Sequence, residues 1–463
     1  MPPAIPWSAI STSARSLPAD PTRPPGPGGL PFLGQARKFA RDPLGFLSGM
    51  AERYGDISNF RLGGVDVFFL RHPGLIREVL ITQRTSFTMS PLRAKLNAVV
   101  GEGLFTSRGD LHARQRRLIQ PVFRKSRIEA YAGQMAELSR RAREQWRSGQ
   151  VIDLTEEMMK LTMLIAARAL FDHDIEKDSE RVSRNVAAVL EFFTRLSSPL
   201  LKLSLRLPLP SSLKFKQAVR DLDEVIYRMI ERRRGAESSG SDLLSLLMQA
   251  KDDETNVYMT HKQLRDEVLT LLIAGHETTA NLLSWTLYLL AQKPDADHRL
   301  HLEAREILSG RAGYAAGDSD RMAYGRMVIQ EGLRLYPPGW FIGRAAMQDV
   351  RLGGYVVPKG AVVLMSQYVM HRDGRFFPSP EEFSPERWED DFQNRLPRGA
   401  YFPFSAGDRH CIGEGFAWQE ALLILATLVE RWKFELVPDQ HIRPRPSVTL
   451  RPDGPIKMVV RPR

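Results

Sequence analysis

The chain contains a single cysteine, Cys411, within the segment Phe404-Ser405-Ala406-Gly407-Asp408-Arg409-His410-Cys411-Ile412-Gly413. A lone cysteine is commonly a small buried apolar residue. Here Gly407 and Gly413 allow backbone to approach a flat group closely, and Arg409 can hold an anion. A helical pattern begins at Glu414. The sulfur therefore stands just before a helix start, where backbone N–H groups and the positive dipole end favour thiolate over thiol. A second polar group, Ala274-Gly275-His276-Glu277-Thr278-Thr279, interrupts the longest weakly charged stretch, residues 268–291. A zinc-protease reading needs histidine at position 280, where Ala280 stands. Glu277 and Thr278 are then either a polar scar in a core helix or a functional pair, because an uncompensated buried carboxylate is costly. Glu331 and Arg334 lie three apart and His112 and Arg116 four apart, so each pair shares a helix face. Arg114 and Arg117, between and beside the latter pair, read as surface charge.

These residues need a large helical scaffold. From about residue 76 to 234 the pattern is repeatedly helical, as in Met135, Leu138, Ala142 and Trp146, with an apolar interruption at 192–209. A central helix is predicted over 266–292, and charged helices follow until Pro337-Pro338 stops them. Two short runs, 57–62 and 65–70, flank Gly63-Gly64 and read as a hairpin; residues 353–364 read as a second one about Pro358-Lys359-Gly360. Gly310, Gly313 and Gly317 match no phosphate-loop spacing and read as a surface loop. The expected organisation is a flexible leader, 1–23, ended by the stiff run from Pro24 to Pro31, then one domain over 24–463.

Composition narrows the function. Lys and Arg number 65 against 54 Asp and Glu, a net charge of +11, and the basic tracts 114–127 and 231–235 carry no aromatic but Phe123 and no recognised binding signature, so nucleic acid is not an expected partner. With 43% hydrophobic and 26% charged residues, disordered, collagen-like and coiled-coil classes drop out. One cysteine excludes an internal disulfide scaffold. Residues 268–291 are long enough to span a bilayer, but the polar group at their middle favours a buried helix.

The cysteine segment resembles the haem-binding loop of the cytochromes P450, matching Phe-x-x-Gly-x-Arg-x-Cys-x-Gly at every fixed position. The resemblance runs from about Pro24 to the C-terminus and implies a mainly α fold with a small β-sheet region, the P450 fold, holding haem b. It implies Cys411 as the axial thiolate ligand of iron, which favours O–O cleavage, with Phe404, Arg409 and Gly413 in the same cofactor-binding loop. The stretch at 274–279 is similar to the family's oxygen-activation motif. Ala274 and Gly275 are then beside the haem, the Thr278 hydroxyl hydrogen-bonds dioxygen, and Glu277 helps deliver protons. His112 and Arg116 match a propionate-binding pair, and Arg344 a further propionate-binding arginine. Glu331, Arg334 and Arg387, the last within Phe383-Ser384-Pro385-Glu386-Arg387-Trp388, match a buried network that holds the cysteine loop.

Phe192, Phe193 and Leu196, with Leu200 and Leu201, fall in the family's variable pocket cap, while Trp340, Phe341 and Ile342 enter from below. Their apolar character implies a terpenoid, fatty acid, steroid or similar lipid as substrate. The implied reaction is monooxygenation with O2. Without a flavin or iron–sulfur segment after the haem region, electrons are expected from a separate ferredoxin-type partner and its reductase. A cytoplasmic monomer without a membrane anchor is expected. Two alternatives come with the resemblance. A peroxide-using or rearranging haem–thiolate enzyme typically lacks the acid–threonine pair, and a non-enzymatic haem-binding or gas-sensing protein has little use for one.

Overall fold

The central helix owes its start to a capping box. The Thr260 side chain accepts from the Gln263 N–H at 3.2 Å and the Gln263 side chain accepts from the Thr260 N–H at 2.9 Å, which satisfies two end donors reciprocally. The helix accordingly begins at His261, five residues before the predicted 266, and runs unbroken to Leu290. A computed structural model describes residues 23–29, 33–94, 96–171, 179–193, 209–234, 242–251, 256–308, 314 and 317–463. Almost all of the expected leader, together with Leu196, Leu200, Leu201, Gly310 and Gly313, lies outside them.

The long helices used below are, in chain order, α1 (Gly109–Ile119), α2 (Lys125–Glu144), α3 (Leu154–Phe171), α4 (Ser179–Phe193), α5 (Pro210–Arg234), α6 (His261–Leu290), α7 (Ala323–Leu335) and α8 (Glu414–Arg431). Apolar faces on all sides of α6 bury it against α3, α5, α7 and α8. Because α8 begins three residues after Cys411 and also packs on α2, the cysteine loop is fixed to the core through that helix. Among the described residues no helix is long and apolar enough to cross a membrane.

The strands are β1 (Ile57–Leu62), β2 (Val65–Leu70), β3 (Phe87–Met89), β4 (Val151–Asp153), β5 (Ile342–Ala346), β6 (Val350–Leu352), β7 (Tyr355–Val357), β8 (Val362–Met365), β9 (Trp432–Leu436), β10 (Pro444–Pro446), β11 (Leu450–Pro452) and β12 (Lys457–Pro462). They form a five-stranded sheet ordered β1-β2-β8-β5-β3, a three-stranded sheet β4-β12-β9, and the ribbons β6-β7 and β10-β11. The first predicted hairpin is present, Ile57 facing Leu70 and Leu62 facing Val65. The second is placed differently. Its turn is Gly353-Gly354, with φ of 56° and 86°, pairing Val350 with Val357. Two consecutive left-handed glycines suit the tight turn of twisted strands. The Pro358-Lys359-Gly360 turn instead leads into β8, which pairs parallel with β2 and antiparallel with β5. Tyr314, within the predicted surface loop, is buried and its hydroxyl donates to the Ala304 carbonyl at 3.2 Å.

Candidate active site

The cysteine loop is held by its own backbone. The Cys411 N–H donates to the Phe404 carbonyl at 2.9 Å, and the His410 N–H to the Gly407 carbonyl at 3.0 Å. Gly407 has a φ of +67°, and a Cβ there would meet the Leu80 carbonyl oxygen at 2.0 Å, so only glycine fits. Arg116 Nη1 donates to the His410 carbonyl at 2.8 Å, tying α1 to the residue before the cysteine. The half-buried Phe404 ring faces Trp418 of α8.

Cys411 is surrounded by protein yet presents exposed surface. Burial pushes its thiol up to about 11, while the Gly413 N–H and Arg116 pull the other way. The helix-start argument for a standing thiolate therefore loses to desolvation. A metal cation at Sγ reverses the balance, since a coordinating thiol is deprotonated outright.

In α6, Ala274 is exposed and Ile273, Gly275 and Thr278 are half-buried, between fully buried turns on either side. The helix thus bares one short strip. The Thr278 hydroxyl donates to the Ala274 carbonyl at 2.7 Å and that of Thr279 to the Gly275 carbonyl at 3.2 Å. Glu277 is buried, and its Oε1 accepts from the Thr449 hydroxyl at 2.8 Å. Successive helical side chains project about 100° apart, so the structure does not bring Glu277 to Thr278. Burial raises the Glu277 carboxyl above its ordinary range, opposed by Thr449 and Arg451.

Cations gather at one edge. Arg344 and His112 are buried, and Arg409 and Arg93 are partly buried. Burial, then Arg409, Arg116 and Arg93, pushes His112 down to about 4, so it is neutral. Burial pushes both Arg344 and Arg409 down to about 10, Arg409 further opposed by Arg344. Sequence reasoning missed Arg93, which carries no motif. Its guanidinium lies 3.6 Å from the Phe105 ring centroid, its Nε has no hydrogen-bond partner, and burial with Arg344 and Arg409 lowers it well below the ordinary arginine range. The acid that acts on Arg409 and His112, Asp408, is engaged by Arg84 at 2.9 Å. Such a partly buried, like-charged cluster calls for an anionic ligand. The bare strip on α6, the Cys411 sulfur and this cluster together fit a flat, metal-bearing group with carboxylate substituents, namely haem.

The expected charge network is present and larger than its motif. Glu331 accepts from Arg334 Nε at 2.9 Å and Nη2 at 2.8 Å, from Arg387 Nε at 3.3 Å, from Trp388 Nε1 at 2.9 Å and from the Ser384 N–H at 3.0 Å. Arg334 also donates to the His371 carbonyl at 3.0 Å, and the His371 ring accepts the Phe402 N–H at 3.0 Å, two residues before Phe404. His371 is the link from network to cysteine loop that the sequence did not disclose.

Of the substrate-facing candidates, Phe341 and Ile342 are half-buried. Phe192 stacks on Phe215 at 4.3 Å between α4 and α5, and Trp340 is buried in the cluster of Leu44, Leu47, Phe60 and Phe69, its Nε1 donating to the Ser447 carbonyl at 3.0 Å. Both are packing residues, because an aromatic ring buries most area between elements. Phe193 ends α4, and the surroundings of its side chain lie outside the described residues, as does Leu196.

The family model for cytochrome P450 matches residues 24–460. A cyclooctatin synthase of Streptomyces melanosporofaciens is 39% identical over 94% of this chain and 95% of its own. The cyclooctat-9-en-7-ol 5-monooxygenase of the same organism is 37% identical over 98% of each chain, and a pentalenene oxygenase of Streptomyces avermitilis is 32% identical over 90% of this chain and 92% of its own. The fold superposes on a cyanobacterial P450 solved with retinoic acid bound, with a TM-score of 0.85 and 27% identity, covering 96% of this chain and 99% of that one. This chain belongs to the cytochrome P450 family and is a haem–thiolate monooxygenase that places one atom of O2 into an apolar small molecule, with electrons supplied by a redox partner.

Proposed function

We propose that this enzyme hydroxylates polycyclic terpenoid hydrocarbons and their alcohols. What carries the substrate class is the near full-length similarity to oxygenases named for cyclooctat-9-en-7-ol and pentalenene, joined to the apolar side chains left partly open at Ile273 and Ala274 of α6 and at Phe341 and Ile342. The substrate C–H, O2, two electrons and two protons become an alcohol and water. Haem supplies the iron that binds and cleaves O2. Cys411 would be its ligand, Arg93, Arg116, Arg344 and Arg409 with neutral His112 would hold its carboxylates, and Ala274 and Gly275 would line the space beside it. The Thr278 hydroxyl, which donates to the Ala274 carbonyl at 2.7 Å, would turn its proton toward the oxygen site, and Glu277 would pass protons that solvent replaces. Glu331, Arg334 and Arg387 keep the cysteine loop in place, and residues 24–463 act as one domain in the cytoplasm.

The donor is an acidic ferredoxin. Arg117, Arg124 and Arg127 are exposed beside a hollow lined by Arg116, Gln120, Phe123 and Cys411, while Lys125 is partly neutralised by Asp320 at 2.9 Å. Opposite charge steers such an encounter and fades as salt screens it.

Titration of the ferric holoenzyme with cyclooctat-9-en-7-ol and pentalenene, against lauric acid and progesterone, tests the substrate class. A shift toward high spin and a monohydroxylated product are expected with the terpenoids. Binding and turnover of the fatty acid or steroid alone would overturn it.

A further inference from the structure

The β10–β11 hairpin reaches α6 through one hydroxyl. Thr449, buried between the two strands, donates from Oγ1 to Glu277 Oε1 at 2.8 Å and accepts from Asn281 Nδ2 at 3.1 Å. A hydroxyl carries one proton, so with Asn281 as donor that proton is committed to Glu277. The hairpin is itself pinned. The Leu450 N–H donates to the Pro338 carbonyl at 2.9 Å, Trp285 Nε1 to the Leu450 carbonyl at 3.3 Å, and Trp340 Nε1 to the Ser447 carbonyl at 3.0 Å. Glu277 is thereby turned to a rigid hairpin while Thr278, about 100° round the helix, lies on the bare strip.

We propose that Thr449 is a positioning residue for Glu277, holding its carboxyl toward the C-terminal hairpin and away from Thr278, so that the hairpin sets how this acid serves oxygen activation. The inference rests on the reading of Glu277 as a proton-handling group. Arg451 of β11 is the charged group facing Glu277, and neutral His276, on the same helix, points elsewhere, its Nδ1 at 2.8 Å from the Leu272 carbonyl. A hydrogen bond donated to a carboxylate stabilises the charged form. Its removal moves the titration of Glu277 to higher pH.

Infrared spectra of ferric holoprotein across a pH series provide the test, the Glu277 carboxylic C=O stretch being the band that Glu277→Gln abolishes. Thr449→Val deletes both hydrogen bonds at nearly constant volume. It should move the band to higher wavenumber, shift its midpoint to higher pH and change the peroxide released per electron pair. Thr449→Ser should restore all three, and Thr449→Ala reads the same quantities if valine is not accommodated. A wild-type band and midpoint in Thr449→Val, or a serine variant that behaves as the valine one does, overturns the positioning role. If Glu277→Gln leaves the peroxide yield at the wild-type level, the proton-handling reading fails instead, whatever the band does.

Discussion

Replacing Glu331 with glutamine keeps the side chain's shape and removes its charge, leaving five donors aimed at a group that can no longer neutralise them. Neither Glu331 nor Arg334 has any exposed side-chain surface. An uncompensated charge of that kind costs about 3–5 kcal/mol, a large part of the roughly 5–15 kcal/mol that holds a folded domain together. The loss reaches the metal ligand, because Arg334 anchors the His371 carbonyl and the His371 ring anchors the Phe402 N–H. Urea titration followed by the Soret band of the reduced carbonyl complex reads the thiolate-ligated population directly. The urea slope, about 1–3 kcal/mol/M for small proteins, grows with size to about 4 kcal/mol/M for a chain this long, so a loss of about 4 kcal/mol lowers the midpoint by about 1 M. Arg387→Ala is the calibrating variant. It keeps the Glu331–Arg334 pair and loses a longer 3.3 Å bond to Glu331 together with donations to the Pro378 and Ser379 carbonyls, for which about 2 kcal/mol in all, or about 0.5 M, is expected. A Glu331→Gln midpoint equal to that of the native enzyme, or no larger a loss than Arg387→Ala shows, would refute the claim that this network carries the cysteine loop.

Gly407→Ala forces a Cβ to within 2.0 Å of the Leu80 carbonyl oxygen at a φ of +67°; strain of about 1–3 kcal/mol should appear as lowered haem content after gel filtration, and native content would show that the loop moves freely. Arg93→Ala removes one charged donor from the cation cluster, so haem transfer to apomyoglobin should accelerate by about tenfold, the equivalent of a charge-assisted hydrogen bond of about 1.5 kcal/mol; an unchanged rate places Arg93 outside the carboxylate site. His276, pushed down to about 4 by burial from an ordinary 6.5, stays neutral in the fold while the unfolded chain takes up a proton below 6.5. Stability should therefore fall as pH drops from 6.5 to 4, by about 3 kcal/mol for this group, and His276→Gln should flatten that slope in urea midpoints measured across the range; an unaltered slope contradicts it.

Short spacings were readable because both partners sit on one turn of chain. Glu331 and Arg334 pair across a helical step, the cysteine segment closes on itself through Cys411 and Phe404, and Gly63-Gly64 turns a hairpin whose strands are adjacent. The ten-residue loop, together with the Glu331, Arg334 and Arg387 set, the stretch at 274–279 and the His112–Arg116 pair, pointed to the haem and hence the reaction class. Residue type leaves open which of two purposes an aromatic serves. Phe192 and Trp340 are as apolar as a pocket wall, and packing between elements claimed them.

What only the tertiary structure decided spans long separations. The sequence by itself determined the family, the cofactor and the residues offered to it, because those depend on local spacing and side-chain chemistry. Arg93 joins Arg344 and Arg409, and Thr449 meets Glu277 across 172 positions, contacts that no local pattern encodes because they arise when β-strands and helices are packed together. The surroundings of Cys411 were decided there as well. A helix start argues for thiolate at any place in a chain, but desolvation depends on how much protein closes round the sulfur, and burial outweighs the dipole until a cation is bound.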